Sequence, residues 1–294
     1  VYDLNLEKVF TLDQSISVTG VEYSDGWFYT SGKKLYRFSA DTDDVVGGIK
    51  PLTLVGTFPG NVYGSYGFSN SVFVDGYIYR ITADGSQRGI TAMCIAEGND
   101  FGKTGAVTLP GISSYYMDDG WISYNKGHIY VTGYTHGLFG AVAAIGDDKI
   151  AYVSVDGLNF GTPGYYTFDG MNTFASEVVF IGDYAFVNVG EFHMMKVNPD
   201  GSLTSIANCA GTFTHGSIVV NDSRAADDEY SVYMIPYQTN SERMITIHCY
   251  KDGDQWKLDR YATLHMPNNY NSQAVRSDSE GRLVWYNDSG QVFT

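Results

Sequence analysis

The sequence is poor in charged residues, proline and cysteine, and it contains no long apolar run. Only 17% of the 294 residues are charged, and there are 7 prolines and 3 cysteines. Cys94, Cys209 and Cys249 lack the close spacing of zinc or redox motifs, so we predict three small buried side chains, no metal and no cofactor. No segment approaches the roughly 20 apolar residues of a membrane-spanning helix.

Positive charge is also scarce. The chain has 33 acidic and 18 basic residues, which gives a net charge of −15. Such a surface repels phosphate backbones and anionic lipids, so we expect no nucleic-acid partner and no membrane insertion. The chain begins at Val1 rather than at methionine. We expect a trimmed mature form or an excised domain, extracellular or at the cell surface, and a monomer.

Aromatic residues and glycine are abundant, and they recur in a repeat. The clearest copies are VEYSDGWFYTSG, VFVDGYIYRIT and ISYNKGHIYVTG, and weaker copies begin at Val178, Ile218 and Ala274. Each copy is an alternating strand, a tight turn and a second strand rich in aromatics, with a period of roughly 50 residues. The repeated aromatic position is occupied by Tyr29, Tyr79, Tyr130, Phe186, Tyr233 and Trp285.

Third and fourth strands follow in the first five repeats, which predicts an all-β fold: one six-bladed β-propeller spanning 1–294. The sixth repeat lacks its outer strand, while a strand-like segment at about 4–12 precedes the first repeat. We therefore predict that the N-terminal strand completes the sixth blade, with Leu6–Leu12 pairing with Gln291–Phe293. Closure of this kind removes exposed sheet edges.

The repeated G-x-(I/F)-Y strand resembles bacterial propellers of the broad PQQ-like, kelch-like and YncE-like type. One segment, Ser154-Val-Asp156-Gly157-Leu-Asn-Phe160, resembles the Asp box S-x-D-x-G-x-T-W of sialidase-type propellers. It departs from that pattern because Gly157 directly follows Asp156 and Phe160 replaces tryptophan. In those families the box is a turn between outer strands, so the resemblance implies a structural turn.

Ligands of propellers usually meet the loops that join one blade's outer strand to the next blade's inner strand. Here these connections are rich in aromatic and amide side chains, which suit sugars or peptides. Packing of the rings between blades is the competing interpretation. The candidate ligand-binding residues are Tyr63, Tyr66, Tyr116, Phe174, His215, Tyr270 and Asn271.

Catalysis is the less favoured hypothesis. A glycosidase needs two facing carboxylates, for which Asp118, Asp119 and Glu177 are candidates. Of the arginines, only Arg276 comes near an inner-strand entry. The acidic runs Asp41–Asp44, Asp147–Asp148 and Asp227–Glu229 lack the spacing of calcium loops, so we interpret them as solvated turns.

Three functions remain open. The first is a secreted or cell-surface bacterial binding propeller for a carbohydrate, peptide or small-molecule ligand. The second is a glycan-active enzyme, a glycoside hydrolase or lyase, that uses the carboxylates of the same mouth. The third is a protein-interaction scaffold.

Overall fold

The structure is a computed structural model, and it describes residues 10–16, 21–30, 32–60, 62, 71–84, 87–113, 121–132, 149–168, 177–210, 216–236, 243–265, 272–277, 283–287 and 292–293. Nearly all of the described elements are strands, as predicted. The exception is one short 3₁₀ turn, η1 (Ala225–Asp227). Within these ranges, no helix has the length and apolar character needed to cross a membrane.

The chain divides into two compact units, and the first is drawn from residues 1–127 and 154–162. Its strands are β1 (Thr11–Leu12), β2 (Val21–Ser24), β3 (Trp27–Thr30), β4 (Lys34–Ser39), β5 (Ile49–Lys50), β6 (Thr53–Thr57), β7 (Ser71–Val74), β8 (Tyr77–Asp84), β9 (Gln87–Cys94), β10 (Thr104–Ser113) and β11 (Trp121–Asn125). Two four-stranded antiparallel sheets are ordered β2-β3-β4-β6 and β7-β8-β9-β10.

The second unit is drawn from residues 128–153 and 163–294. Its strands are β12 (His128–Thr132), the first part of β13 (Lys149–Asp156), β15 (Gly164–Thr167), β16 (Val179–Ile181), β17 (Tyr184–Asn188), β18 (Phe192–Val197), β19 (Leu203–Cys209), β20 (Gly216–Asn221), β21 (Glu229–Pro236), β22 (Arg243–Asp252), β23 (Gln255–His265), β24 (Ser272–Ser277), β25 (Leu283–Asn287) and β26 (Val292–Phe293). β16 to β19 and β20 to β23 form four-stranded sheets, and β24 to β26 form a three-stranded one. The end of β13 belongs to the first unit, where it pairs with β14 (Asn159–Phe160).

The repeated antiparallel sheet, in which each strand pairs with the next, is the blade of a β-propeller, and this is the fold of the chain. The tight turns form at the dipeptides where the sequence predicts them. Asp25–Gly26, Asp75–Gly76 and Lys126–Gly127 all have positive φ at both residues, as a two-residue hairpin turn requires. The count of six blades and the single domain over 1–294 stay predictions.

The N-terminal strand departs from the prediction where it is described. Thr11 and Leu12 pair in parallel with Ile49 and Lys50 of β5 instead of with β26. The segment after β4 folds back on itself, with a β-bridge between Val46 and Ile49. The amide of Thr11 donates a hydrogen bond to the carbonyl of Gly48 in this turn. Residues 4–9 lie outside the described residues, so their part in ring closure stays a prediction.

The core of each unit lies between successive sheets. In the first unit, Tyr29, Leu35, Phe58, Ile78 and Met93 pack together. In the second unit, one cluster joins residues of β12, β13 and β15 to β19. Another joins residues of β17 and β18 to the sheet formed by β20 to β23. The first four repeated aromatics are core residues, each at most 2% exposed, whereas Tyr233 is half-buried. All three cysteines are free thiols, and burial raises the pKa of Cys249. Cys94 and Cys249 are buried as predicted, but Cys209 is only half-buried.

Two of the repeated tyrosines also bond to the next repeat. The Tyr79 hydroxyl donates to the carbonyl of Gly157 at 3.0 Å, and the Tyr130 hydroxyl donates to the carbonyl of Gly201 at 2.9 Å. Both acceptors are glycines of Asp-Gly turns with positive φ. The Asp-box-like segment is thus a turn whose Gly157 carbonyl accepts a hydrogen bond from a tyrosine of the preceding repeat. This agrees with the structural role implied by the resemblance.

We expect Tyr130→Phe to lower the free energy of unfolding by about 1–3 kcal/mol, because the carbonyl of Gly201 loses its buried donor. Burial raises the pKa of Tyr130, so the hydroxyl carries its proton at neutral pH. Urea denaturation measures the change. Tyr250→Phe is the matched control, because the Tyr250 hydroxyl bonds to Asp259 on the exposed surface. Equal losses in the two variants would contradict the assigned role of Tyr130.

Candidate functional site

The two ends of the antiparallel sheets differ in how the chain turns. At one end, β2 and β3, β7 and β8, and β11 and β12 are joined by two-residue turns. At the other end, which we name the connection end, β6, β10, β15, β19 and β23 finish and the next first strands begin. Four strands that alternate in direction return the chain to the end where it entered.

In chain order, every predicted ligand-binding residue follows the last strand of one sheet and precedes the first strand of the next. Tyr63 and Tyr66 follow β6, Tyr116 follows β10, Phe174 follows β15, His215 follows β19, and Tyr270 and Asn271 follow β23. All seven lie outside the described residues, as do Asp118 and Asp119. Their binding and catalytic roles therefore stay predictions.

Glu177 is the predicted site residue that the structure does describe. It is half-buried and directly precedes Val178, a core residue at the foot of β16. Its Oε2 atom is enclosed by protein. Glu177 thus lies just before the first strand of a sheet, and its catalytic role stays a prediction.

An arginine that the sequence reasoning missed lies at the connection end of the first unit. Arg80 pairs with Ser71, the first residue of β7, and its Nε donates to the Ser71 Oγ at 2.7 Å. Its Nη1 donates to the carbonyl of Gly32 at 2.5 Å, and its guanidinium lies 4.6 Å from the centre of the Phe58 ring. Burial lowers the pKa of Arg80 to about 10, so it stays charged at neutral pH.

Arg80 therefore contacts both ends of one connection. Phe58 begins the segment that contains Tyr63 and Tyr66, and Ser71 ends it. A buried, charged and multiply bonded side chain holds these two ends close together in space. Both ends of the aromatic connection therefore contact the same buried side chain.

A similar arrangement occurs in the second unit. Phe168 begins the connection that contains Phe174 and is packed against His193 of β18, with ring centres 4.9 Å apart. The Nδ1 atom of His193 lies 3.4 Å from the Ser205 Oγ of β19. Burial lowers the pKa of His193, and the nearby Glu191 carboxylate opposes this shift.

The acidic run after β4 has a role that the sequence did not predict. Lys50 is fully buried, and its Nζ donates to the carbonyl of Ser39 at 2.6 Å and lies 2.8 Å from the Asp44 Oδ1. The carbonyl of Asp41 is a further acceptor of Lys50. Asp41 and Asp43 are exposed, as expected of a solvated turn, but the Asp44 carboxylate also pairs with the buried ammonium of Lys50. Asp227 and Glu229 pair with Arg224 on the surface, while Asp147–Asp148 lie outside the described residues.

Metal ligands do not converge in the part of the chain that the structure describes. No group of three or more His, Cys, Asp or Glu side chains is arranged there to hold an ion. Two histidines of the described strands pack against other residues. His193 is 7% exposed, and the ring of His128 lies against Gly201.

The sequence matches no known protein-family profile and no curated protein. The fold does match solved structures. A protein from Lactobacillus plantarum is 12% identical with a TM-score of 0.54, over 90% of this chain and 77% of that one. The periplasmic gluconolactonase of Pseudomonas aeruginosa is 11% identical with a TM-score of 0.50, over 84% of this chain and 70% of that one. At such identities the likeness concerns the fold, and the PQQ-like, kelch-like or YncE-like type stays a prediction.

Proposed function

We propose that the chain is a binding propeller that holds a neutral, polar ligand at the connection end, with a carbohydrate as the first choice. The observation that carries this proposal is the contact of Arg80 with both ends of the Tyr63–Tyr66 connection. Arg80 is 2% exposed, so it supports the connection from within and does not bind the ligand itself. Rings on loops with fixed ends lose less freedom on binding than rings on loose loops.

The composition of the connections selects the ligand class. Tyrosine and phenylalanine offer flat faces to the apolar faces of a sugar ring, while asparagine and serine bond its hydroxyls. A net charge of −15 disfavours an anionic ligand at any surface of the protein. A carbohydrate also suits the extracellular or cell-surface location expected from the sequence.

A glycan array with the purified chain tests the proposal, and Tyr66→Ala and Tyr116→Ala identify the surface. We expect each variant to lose about 1–3 kcal/mol of binding free energy, the usual worth of one stacked ring. The thermal midpoint should barely change. Tyr261→Ala is the matched control, because Tyr261 is 78% exposed and belongs to strand β23 rather than to a connection.

Other results point elsewhere. A loss of several kcal/mol in stability without any change in ligand affinity would make these rings packing residues and contradict the proposal. Chain cleavage of an arrayed glycan, abolished by Glu177→Gln, would favour the glycan-active enzyme. Binding to a protein or peptide but to no glycan would favour the scaffold.

A further inference from the structure

Lys50 carries a buried charge that ligand binding at the connection end does not use. It is the second residue of β5, and its side chain is fully buried. An ammonium loses its bound water when it is buried, and this costs free energy unless protein oxygens replace that water. The groups around Lys50 therefore show how this chain compensates a buried cation.

Three oxygen atoms replace the water of the Lys50 ammonium. Its Nζ donates to the carbonyl of Ser39 at 2.6 Å and to the carbonyl of Asp41. The Asp44 Oδ1 lies 2.8 Å from the same Nζ. The Phe10 ring centre lies 4.8 Å away, at a distance where a ring face attracts a cation. All three oxygens belong to residues 39–44, which we name the cation loop.

The oxygens of the cation loop suit a metal ion as well as an ammonium. Backbone carbonyls and carboxylates are the ligands that hard cations such as Ca²⁺ take in proteins. The Asp44 Oδ1 is enclosed by protein, and it accepts no well-aligned hydrogen bond from any described residue although Nζ is 2.8 Å away. Its attraction to Lys50 thus depends on charge and distance. A metal ion supplies both without needing an aligned donor.

The cation loop is also held in shape without the Lys50 side chain. The Asp41 amide donates to the Ser39 Oγ at 2.9 Å, and the Asp43 amide donates to the Asp41 Oδ1 at 3.0 Å. The Val45 amide donates to the carbonyl of Thr42 at 3.1 Å. None of these bonds involves Lys50. The loop therefore keeps its oxygens in place when that side chain is shortened.

We propose that the cation loop is a cation site in which the Lys50 ammonium takes the place of a metal ion, and that Ca²⁺ binds there once the ammonium is removed. In the intact protein the lysine occupies the site, so this acidic segment folds without calcium. Neither statement depends on the proposed function.

The ligand set favours Ca²⁺ over Mg²⁺. Three protein oxygens leave the remaining positions to water, in an irregular arrangement. Ca²⁺ accepts roughly six to eight oxygens in flexible geometry, whereas Mg²⁺ demands a near-ideal octahedron. We therefore expect a weaker response to MgCl₂ than to CaCl₂ in every experiment below.

Lys50→Ala and Lys50→Met form a matched pair that tests the site. Alanine opens the space of the ammonium to an ion and its water, whereas methionine fills that space with an apolar chain. Both variants have the same net charge, so a diffuse attraction of Ca²⁺ to this acidic protein acts equally on them. Urea denaturation with and without about 10 mM CaCl₂ gives the unfolding equilibrium constant of each.

We expect CaCl₂ to lower the unfolding equilibrium constant of Lys50→Ala about tenfold, as a Kd of about 1 mM implies. The wild-type protein and Lys50→Met should change by less than about twofold. Equal responses of the two variants would overturn the proposal. If Lys50→Ala is unfolded in calcium-free buffer, circular dichroism during a CaCl₂ titration replaces denaturation, and a variant that calcium does not fold would overturn it too.

A second substitution in the Lys50→Ala background identifies the ligand. Asp44→Asn removes the loop's enclosed carboxylate and should abolish the calcium response. Asp100→Asn removes the same charge from an exposed carboxylate that pairs with Lys103, and it should leave the response intact. A calcium response that survives Asp44→Asn would contradict the assigned site.

NMR of the wild-type protein tests the occupied site without any variant. The ammonium protons of Lys50 should exchange slowly enough with water to give a ¹⁵N–¹H signal at neutral pH, and CaCl₂ should not displace it. Lys103 is the internal control, because its side chain is exposed and its ammonium protons should exchange too fast to be seen. Equally fast exchange at Lys50 would show that its ammonium does not occupy the cation loop.

Discussion

Replacing Gly105 with alanine is expected to lower the free energy of unfolding by about 3 kcal/mol or more. A Cβ at this position of β10 would lie 2.0 Å from the carbonyl oxygen of Leu158 and 2.9 Å from its carbonyl carbon. Leu158 belongs to the turn between β13 and β14, in the following repeat. Backbone contacts backbone here, so a side-chain rotation cannot relieve the clash, and β10 can only withdraw by straining its pairing with β9.

Urea denaturation of the variant measures this loss, with Gly253→Ala as the control. Gly253 has a φ of +62°, and a Cβ at this position would have no other atom within 4 Å. Alanine there therefore lowers the free energy of unfolding only through backbone strain, by about 1 kcal/mol. If the two variants lose the same stability, the close approach of β10 to Leu158 does not exist in solution.

The second large effect is expected at Arg37. This side chain is 4% exposed and stacks between two rings, 4.0 Å from Trp27 and 4.5 Å from Phe101. Its Nη1 donates to the carbonyl of Ile95 at 3.2 Å. Arg37→Ala leaves a gap between the rings and a carbonyl without its donor, and we expect a loss of about 3 kcal/mol.

The ion pair of Arg37 with Glu97 contributes little to that loss. The Glu97 side chain is 71% exposed, so water replaces the arginine when the pair is broken. We therefore expect Glu97→Gln to cost about 0–1 kcal/mol and Arg37→Lys, which cannot stack as a plane, an intermediate amount. Chemical denaturation of the three variants gives the order. A Glu97→Gln variant as unstable as Arg37→Ala would show that the ion pair dominates.

The strands were predictable because their signals are local. Alternating side chains and Asp-Gly or Lys-Gly turns define β2 and β3, β7 and β8, and β11 and β12 without reference to the rest of the chain. The pairing of Thr11–Leu12 with β5 was not predictable. It depends on where the segment after β4 folds back, and an apolar segment such as residues 4–12 fits any free sheet edge equally well.

The residues at the base of the candidate connections have a weaker sequence signal than the strands have. A comparison of the repeats could nevertheless have found it. Arg80 follows the repeated aromatic, where three other repeats have Val131, Val187 and Met234. A charged residue in a generally apolar position needs a buried partner. Likewise, Thr57-Phe58 and Thr167-Phe168 mark the ends of two fourth strands. Which side chain lies against each phenylalanine depends on contacts between sheets and could not be read from one repeat.

Binding of a ligand at the connection end would leave a hydrogen-exchange footprint there. The experiment compares the wild-type protein with and without a glycan that binds on the array. We expect protection in one or more of the connections 58–70, 114–120, 168–178, 210–215 and 266–271. Protection confined to the opposite end, at the turns 25–26, 75–76 and 126–127 or the longer turn 222–228, would contradict it.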